Sequence, residues 1–370
     1  MTLQRLKSID TFRGLCMAWM ILGHLTGWWL REEDFWLANS INIILDPIGA
    51  SGFLFIAGVS LMLSYRKRLL KSINSEEYTY RMIRNEYLLR SFFIFVIALI
   101  YNACIAIAIN DFKWIWTWFI LMTIAISLFM AWPLLKTSKY FRLALGIIIW
   151  IVDKLIFDVL IIYEGQSNFF GVLFHILYSE YTLEPILTFF PFLLFGTVVG
   201  DVIYDIFNIN NLEDRKEKFK KIFLIPSIII GGCSILLNVV FLFPEFLVRR
   251  SISWLVYTLG IDLILFSILL SFEIFNIIKT EKSYRLLFYY SYYSLTVYLG
   301  HNVLYFLFLD MLNVFNIWFF VAGAFFIIGL ILRSVYKKWS GKASLKFQLG
   351  KLSLTLARII ESKRYSQKSL

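Results

Sequence analysis

Blocks of about twenty apolar residues, separated by short polar and charged stretches, recur along the whole chain. An α-helix of that length reaches about 30 Å, which matches the hydrocarbon thickness of a bilayer. The pattern therefore predicts an all-α fold, a polytopic membrane helix bundle of about ten transmembrane helices. The predicted spans are 12–30, 48–65, 90–109, 114–134, 141–162, 185–206, 222–243, 252–277, 287–309 and 314–336.

Two places depart from this regular pattern. The fifth block is interrupted by Asp153, Lys154 and Asp158, so the pattern leaves its outer boundary open. Residues 165–184 lie between the fifth and sixth blocks, and we predict a short extra or re-entrant helix there.

Positive charge alternates from one loop to the next. Lys and Arg cluster in 5–7, 66–90, 136–142, 215–221, 279–285 and the C-terminal tail, whereas the intervening loops are acidic or weakly charged. By the positive-inside rule, both termini are predicted to face the cytoplasm. The loop at 244–250 fits least well, because Arg249 and Arg250 fall on the predicted outer side.

We divide the chain into a transmembrane domain, residues 1–337, and a basic amphipathic cytoplasmic tail, residues 338–370. The tail intersperses Leu, Ile and Phe among Lys and Arg, a pattern typical of a helix on an anionic lipid surface. Docking into the groove of a partner protein is the alternative interpretation.

Composition supports an integral membrane protein, since 59% of the 370 residues are hydrophobic and 19% are aromatic. The net charge of +11 does not indicate nucleic-acid binding, because the basic residues lie between apolar blocks instead of forming one patch. The three histidines have no close ligand spacing, so we expect no metal site.

The first span carries the ionisable residues Asp10, Arg13 and His24. Arg13 and His24 are separated by almost three helical turns, so they share one face, with an axial offset of about 16 Å. Asp10 lies one turn before Arg13, where it can pair with it. Ionisable groups inside a membrane usually line cavities or pathways. The alternatives are an interfacial anchor for Arg13 and a packing role for His24.

His301, in the segment SLTVYLGHNVLYF, lies past the middle of the predicted ninth span, at the depth predicted for His24. Two histidines at one depth can meet in a polar cavity, where an imidazole can take a proton from a hydroxyl or an amine. Tyr298, one turn before His301, can hydrogen-bond in the same cavity. Asn302 faces about 100° away from His301, so helix packing is its alternative role.

Other polar residues are further candidates for substrate contact. Asp46, entering the second span on the predicted outer side, either orients a histidine or binds the acceptor, or else caps its helix beside Pro47. His175, in the predicted outer connection, is either an acceptor contact or an interfacial residue. Four arginines in the predicted cytoplasmic loop can hold donor phosphates, although membrane orientation alone also explains them. They are Arg66, Arg68, Arg81 and Arg84.

These motifs resemble two related families of membrane enzymes. Arg13 and His24, with ten residues between them, match the R-x10-H pattern of the membrane acyltransferase-3 family. The string RLKSIDTFRGLCMAWMILGH, with GFLFIAGVSLMLS and SLTVYLGHNV, more closely resembles the heparan-α-glucosaminide N-acetyltransferase-like proteins. The segment ILTFFPFLLFGTVVGD also resembles a proline- and glycine-containing span of these proteins.

The resemblance implies an acyl-CoA-dependent transmembrane acyltransferase. Such an enzyme moves an acyl group, expected to be acetyl, from cytosolic acyl-CoA to a hydroxyl or amine of an extracytoplasmic sugar or glycan. It implies that His24 and His301 line the reaction centre, with Arg13 and Asp10 on the donor side. The expected partners are acetyl-CoA or another acyl-CoA, a sugar or glycan acceptor and membrane lipid. A homo-oligomer is left open, and neither a metal nor nucleic acid is expected.

The chain departs from the heparan enzymes of animals in one respect. Those enzymes carry Asn at the position of His24 and use a histidine in the loop after the first span. The corresponding loop here, LREEDFWLANSINIILDP, contains no histidine, which makes His24 the first candidate for the base. Their large lumenal domain has no counterpart either. We therefore expect a prokaryotic plasma-membrane protein that modifies an envelope glycan.

Two other functions fit the same residues. In a proton-coupled transporter or lipid-linked sugar exporter, the histidines and Arg13 would form a proton relay. In a structural membrane scaffold, replacing His24 or His301 would change stability alone.

Overall fold

The computed structural model describes residues 5–74, 78–179, 183–277 and 285–368. Most of the predicted basic loop 279–285, and residues 180–182 of the segment 165–184, lie outside the described residues. The described residues are 83% helical. The described residues contain no β-strand, only an isolated bridge between Leu30 and Leu312. The predicted all-α fold is therefore confirmed.

Fifteen α-helices follow one another along the described residues. The first eight are α1 (Lys7–Trp29), α2 (Phe35–Leu45), α3 (Ala50–Ile73), α4 (Tyr80–Ile109), α5 (Ile120–Leu134), α6 (Lys139–Leu160), α7 (Phe169–Leu177) and α8 (Ile186–Phe207). The others are α9 (Leu212–Phe219), α10 (Ile225–Phe241), α11 (Ile252–Ile274), α12 (Arg285–Tyr292), α13 (Ser294–Gly300), α14 (Ile317–Trp339) and α15 (Leu345–Lys368).

Short irregular turns connect several of these helices. A π-helical turn, Lys220–Leu224, makes α9 and α10 continuous. The 3₁₀ segments are Glu32–Asp34, Asp46–Ile48, Phe112–Trp116, Ile161–Tyr163, Glu245–Leu247 and His301–Phe306.

Two compact units make up the chain. The first unit comprises Met1–Ile56 and Asn208–Gln348, and the second comprises Ala57–Phe207 and Leu349–Leu370. Each is described by itself below.

Seven helical segments within the described residues are long and apolar enough to cross a membrane. They are Glu32–Ile73, Tyr80–Ile109, Phe112–Leu134, Ile186–Phe207, Leu212–Phe241, Ile252–Ile274 and Ile317–Trp339. They account for seven of the ten predicted spans. The count of ten and the orientation of the termini remain predictions.

The predicted first and fifth spans are single helices that carry several ionisable residues. The first corresponds to α1, with 23 residues, and the fifth corresponds to α6, with 22 residues. Asp153 does not interrupt α6, because its carboxylate accepts hydrogen bonds from the hydroxyls of Tyr178 (2.9 Å) and Thr188 (2.7 Å). The short helix expected within 165–184 is α7.

The predicted ninth span, 287–309, is not one helix. It is divided into α12, α13 and the 3₁₀ segment His301–Phe306. The main chain that follows bonds instead to the end of α1, since the amides of Asp310 and Leu312 donate to the carbonyls of Trp28 and Trp29 at 3.0 and 2.8 Å. These long-range bonds satisfy polar groups that a regular helix would have paired locally.

In the first unit, α1 is the central helix, and it contacts α2, α11, α12, α13 and α14. The side chains of Phe12, Phe55 and Phe266 pack together at its buried face, with ring centroids 5.8 to 6.2 Å apart. A Cβ atom at Gly14 would lie 2.4 Å from the carbonyl oxygen of Leu287. The close approach of α1 and α12 therefore requires glycine at this position.

In the second unit, α6 packs against α8, and α4 packs against α5. Residues of the predicted tail also belong here, because Ala357 of α15 lies in a buried cluster with Tyr78, Met82 and Ile83. One face of the tail is thus covered by protein. The division at residue 337 and the expected lipid contact remain predictions.

Candidate active site

Two histidines come together in the first unit. The imidazole rings of His24, on α1, and His301, just after α13, have centroids 5.0 Å apart. His24 is exposed, whereas His301 is only 3% exposed. The segments that carry the two histidines are held together by the main-chain hydrogen bonds from Asp310 and Leu312 to the end of α1. The indole of Trp29 adds a hydrogen bond to the carbonyl of Leu304 at 2.8 Å.

The surroundings of His301 determine which of its ring nitrogens carries the proton. Nδ1 lies 2.5 Å from the carbonyl oxygen of Tyr298. A carbonyl can only accept, so Nδ1 must donate, and the neutral ring then has its lone pair on Nε2. Nε2 is buried and has no hydrogen-bond partner among the described residues. His301 therefore holds a buried proton acceptor in a fixed orientation.

Trp28 completes this cluster, and the sequence interpretation did not include it. Its ring is stacked on His301, with centroids 5.6 Å apart and an interplanar angle of 20°. It also lies 4.9 Å from the ring of His24. Trp28 follows His24 by one helical turn, so the helical period could have identified it.

Asp10 also bonds to residues outside the predicted pair with Arg13, and that pair stays a prediction. Its carboxylate accepts two hydrogen bonds from the guanidinium of Arg5, at 2.6 and 3.0 Å, and one from the hydroxyl of Ser291 at 3.1 Å. Burial acts to lower the pKa of Arg5, but the hydrogen bond and the charge of Asp10 outweigh it and raise that pKa. Arg13 is buried one turn further along α1.

Asp46 forms an ion pair with Arg249, with 3.0 Å between Oδ2 and Nε. This pairing explains why the loop at 244–250 fits the charge rule poorly, since Arg249 neutralises a carboxylate there. The amide of Asn302 donates to the carbonyls of Tyr298 and Leu299 at 3.3 and 3.4 Å, within its own segment. The ring of Tyr298 lies 5.8 Å from that of His301.

The other predicted site residues belong to the second unit. Two of them form ion pairs, Arg66 with Asp201 and Arg68 with Glu86, at 2.7 and 2.8 Å. Burial raises the pKa of Tyr78 to about 12, so its hydroxyl stays a donor to Glu86. Arg81, Arg84 and His175 are exposed or half-buried, and Nδ1 of His175 has no partner among the described residues.

A buried carboxyl group in α11 was also missed. Asp262 is 0% exposed, and neither of its carboxyl oxygens has a hydrogen-bond partner among the described residues. A Cβ atom at Gly52 would lie 2.9 Å from Oδ1 of Asp262 and 3.3 Å from Sγ of Cys16. Cys16 follows Arg13 by one turn of α1, so Asp262 lies beside the helix that carries Arg13 and His24. The sequence feature that could have identified Asp262 is that it is a single acidic residue within an apolar block.

The described residues contain no group of three or more His, Cys, Asp or Glu side chains that could hold a metal ion. The expectation of a metal-free site remains a prediction.

Comparison with known proteins identifies the family. The family described as heparan-alpha-glucosaminide N-acetyltransferase, catalytic, matches residues 5–243. The chain belongs to this family. The suspected resemblance is thus confirmed over well more than half of the chain, including Asp10, Arg13 and His24. No curated protein matches the chain.

Membership in this N-acetyltransferase family, together with the seven apolar helices, makes the chain an integral membrane protein of an acetyltransferase family. The family uses acetyl-CoA as its donor in general. His301 and Asp262 lie beyond the matched residues, so their assignment to a site depends on geometry.

Proposed function

We propose that this protein transfers an acyl group, expected to be acetyl, from cytosolic acyl-CoA to a hydroxyl or amine of an extracytoplasmic sugar or glycan. The observation that carries the proposal is the pairing of His24 with His301, whose Nε2 is buried, unpartnered and oriented as a proton acceptor. Family membership supplies the reaction class.

In the proposed reaction, the acceptor oxygen or nitrogen attacks the thioester carbonyl while Nε2 of His301 takes its proton. A bond forms between the acceptor and the acyl carbon, and the bond between that carbon and sulfur breaks. The resulting imidazolium returns the proton to the CoA thiolate. Proton transfer of this kind contributes about 10²- to 10⁴-fold to a rate.

Trp28 and His24 would assist this base in different ways. The face of Trp28 can stabilise the imidazolium by a cation–π contact. Two charged imidazoles 5.0 Å apart would repel by about 3 kcal/mol at an effective dielectric constant of about 20. The pair therefore carries at most one positive charge at a time. Exposed His24 would line the approach of the acceptor.

On the donor side, Arg13 and Asp10 lie on α1 about 16 to 21 Å from His24 along the helix axis. With the predicted orientation, they face the cytoplasm, and the histidine pair lies in the outer half of the membrane. We place the protein in the plasma membrane of a prokaryote, with an envelope glycan as acceptor.

Acetyl-CoA binding and thioester cleavage by the purified protein in detergent would test the proposal. Wild type should be compared with His24→Ala, His301→Ala and Arg13→Ala. We expect His301→Ala to lose cleavage by about 10²-fold or more while still binding acetyl-CoA. Arg13→Ala should weaken binding instead.

Two outcomes would contradict the proposal. Folded wild-type protein that neither binds nor cleaves acetyl-CoA would exclude the acyltransferase and direct attention to proton-coupled transport. Histidine variants that change the unfolding midpoint without changing cleavage would indicate a scaffold role.

A further inference from the structure

An aromatic cleft of about 440 Å³ opens in the first unit, away from the histidine pair. Five residues line it, and three of them are aromatic, namely Phe288, Tyr289 and Tyr336, with Lys337 and Ser340 at its polar side. The ring of Tyr336 lies edge-on to Phe288, with centroids 5.6 Å apart, and 5.4 Å from Tyr289. The cleft thus offers flat apolar surfaces beside a primary amine.

Two basic side chains lie at the cleft, and one of them is paired with a carboxylate. The guanidinium of Arg5 lies 4.9 Å from the ring centroid of Phe288 and is held in place by Asp10. Lys337, in the last turn of α14, is exposed and has no ion-pair partner among the described residues. A ligand that carries both an aromatic ring and several negative charges complements this surface.

The cleft lies at one end of a seam that reaches the histidine pair. Helix α1 contacts α12, α13 and the 3₁₀ segment that begins at His301. Helix α12 runs opposite to α1, since Leu287 lies against Gly14 and Ser291 bonds to Asp10, and α13 then leads to His301 beside His24. Along the continuous helix α1, the step from Asp10 at the cleft end to His24 is fourteen residues, or about 21 Å. Asp10 accepts from Ser291 at the cleft end of this seam. An elongated ligand could therefore occupy the cleft with one end and the histidine pair with the other.

We propose that the cleft binds the nucleotide end of the acyl-CoA donor, with the adenine ring against Phe288 and Tyr336 and the phosphates on Lys337. The inference rests on the proposed function and deepens it. Aromatic faces stack on nucleobases whatever their sequence context, and Lys and Arg bind phosphate by charge-assisted hydrogen bonds.

The arginines that the sequence favoured for this task are less suitable. Arg66 already binds Asp201, and Arg68 already binds Glu86. A phosphate at either guanidinium would have to compete with a carboxylate at hydrogen-bond distance. Lys337 has no such competitor among the described residues.

The first experiment measures transfer kinetics for two donors. Acetyl-CoA carries the nucleotide, whereas S-acetyl-N-acetylcysteamine has the same thioester without it. We expect Lys337→Glu to raise KM for acetyl-CoA by about tenfold or more, since a charged hydrogen bond to phosphate is lost and replaced by repulsion. Its KM for the truncated donor should stay unchanged.

Lys338→Glu is the matched control. It changes the same charge on the adjacent residue, whose amine lies over the ring of Trp339 at 5.2 Å. We expect less than about a twofold change in KM for either donor, because rim charges away from a ligand act weakly. Equal effects of the two lysine variants, or equal effects on the two donors, would overturn the assignment.

Competition experiments separate the nucleotide from other phosphates. Adenosine 3′,5′-bisphosphate should inhibit wild type more strongly than inorganic pyrophosphate does, and Tyr336→Leu should reduce that difference. If the cleft instead binds lipid headgroups, Lys337→Glu would remove stimulation by phosphatidylglycerol vesicles and leave KM for acetyl-CoA unchanged, which would refute a nucleotide site.

The two proposals can fail separately. Wild-type protein that cleaves acetyl-CoA while Lys337→Glu keeps a normal KM would refute the cleft alone. Wild-type protein without any thioester cleavage would refute the proposed function, and the cleft assignment with it.

Discussion

Buried carboxylates in the second unit have partners, whereas the one in the middle of α11 in the first unit does not. Asp153 accepts from Tyr178 and Thr188, and Asp201 is bound by both Arg66 and Arg142. Asp262 is as deeply buried, yet its two oxygens have no hydrogen-bond partner among the described residues. Nε2 of His301 is likewise buried and has no hydrogen-bond partner among the described residues.

We interpret this difference as one between carboxylates with a structural role and groups that we propose act in the reaction. Burying a polar group without a partner costs about 1 to 3 kcal/mol, and more when it is charged. The pairs of the second unit offset that cost within the folded chain. The unpaired atoms of Asp262 and His301 in the first unit do not offset this desolvation cost. Such a cost is expected where a reaction or a ligand uses the buried atoms. The second unit has exceptions among its other polar groups. Buried atoms without a partner among the described residues are Nε and Nη1 of Arg142, Oδ1 of Asn102, Nδ1 of His175 and the hydroxyls of Thr117, Ser127 and Ser179.

The largest effect is expected at the proposed reaction centre. His301→Gln keeps a polar side chain of similar size but removes the proton acceptor, so thioester cleavage should fall by about 10²- to 10⁴-fold. Stopped-flow detection of released CoA thiol measures this. The unfolding midpoint of the same sample should be close to that of wild type. A variant that cleaves at half the normal rate would remove His301 from the mechanism.

A large loss of stability is expected in the second unit. Asp201→Asn leaves the buried guanidinium of Arg142 without a counter-charge, which should lower the free energy of unfolding by about 3 to 5 kcal/mol. Titration with SDS, followed by tryptophan fluorescence, measures the change. Unchanged stability would show that the ion pair is not what holds α6 to α8.

The same substitution at Asp262 is the matched comparison. Asp262→Asn breaks no hydrogen bond, so the free energy of unfolding should change by less than about 1 kcal/mol. The rate of acyl transfer should fall, because an unpaired carboxyl inside a membrane is ordinarily functional. A loss of stability as large as that of Asp201→Asn, with normal transfer, would reverse the comparison between the units.

The smallest change in the free energy of unfolding is expected for an ion pair that is exposed to solvent. Glu213 lies 2.7 Å from Lys216, and its side chain is 77% exposed. Glu213→Gln should change the free energy of unfolding by less than about 0.5 kcal/mol, since exposed pairs on one helix contribute little. The same SDS titration suffices. A cost of several kcal/mol would mean that exposure does not screen this pair.

Local periodicity was enough to predict much of the site. The spacing of Arg13 and His24 requires only the pitch of one helix, and α1 is continuous over both. Equal predicted depth placed His24 near His301, and their rings lie 5.0 Å apart. The apolar blocks likewise predicted an all-helical chain and seven of its spans.

Long-range contacts account for what the sequence did not predict. The segment 287–309 is apolar throughout, and its break depends on hydrogen bonds from Asp310 and Leu312 to the end of α1. The pairs between Asp46 and Arg249 and between Asp201 and Arg142 join residues distant in sequence. Periodicity within one segment carries no information about such partners.

The fastening between the end of α1 and residues 310–312 is made of main-chain atoms. Main-chain hydrogen bonds of this kind do not depend on which side chains the same residues carry. Substitutions at these residues can therefore change the side chains at the end of α1 while the main-chain bonds that hold the two segments together are kept. Under the proposed function, acceptor preference and catalytic geometry would then depend on different atoms, so related proteins could diverge in the first and keep the second.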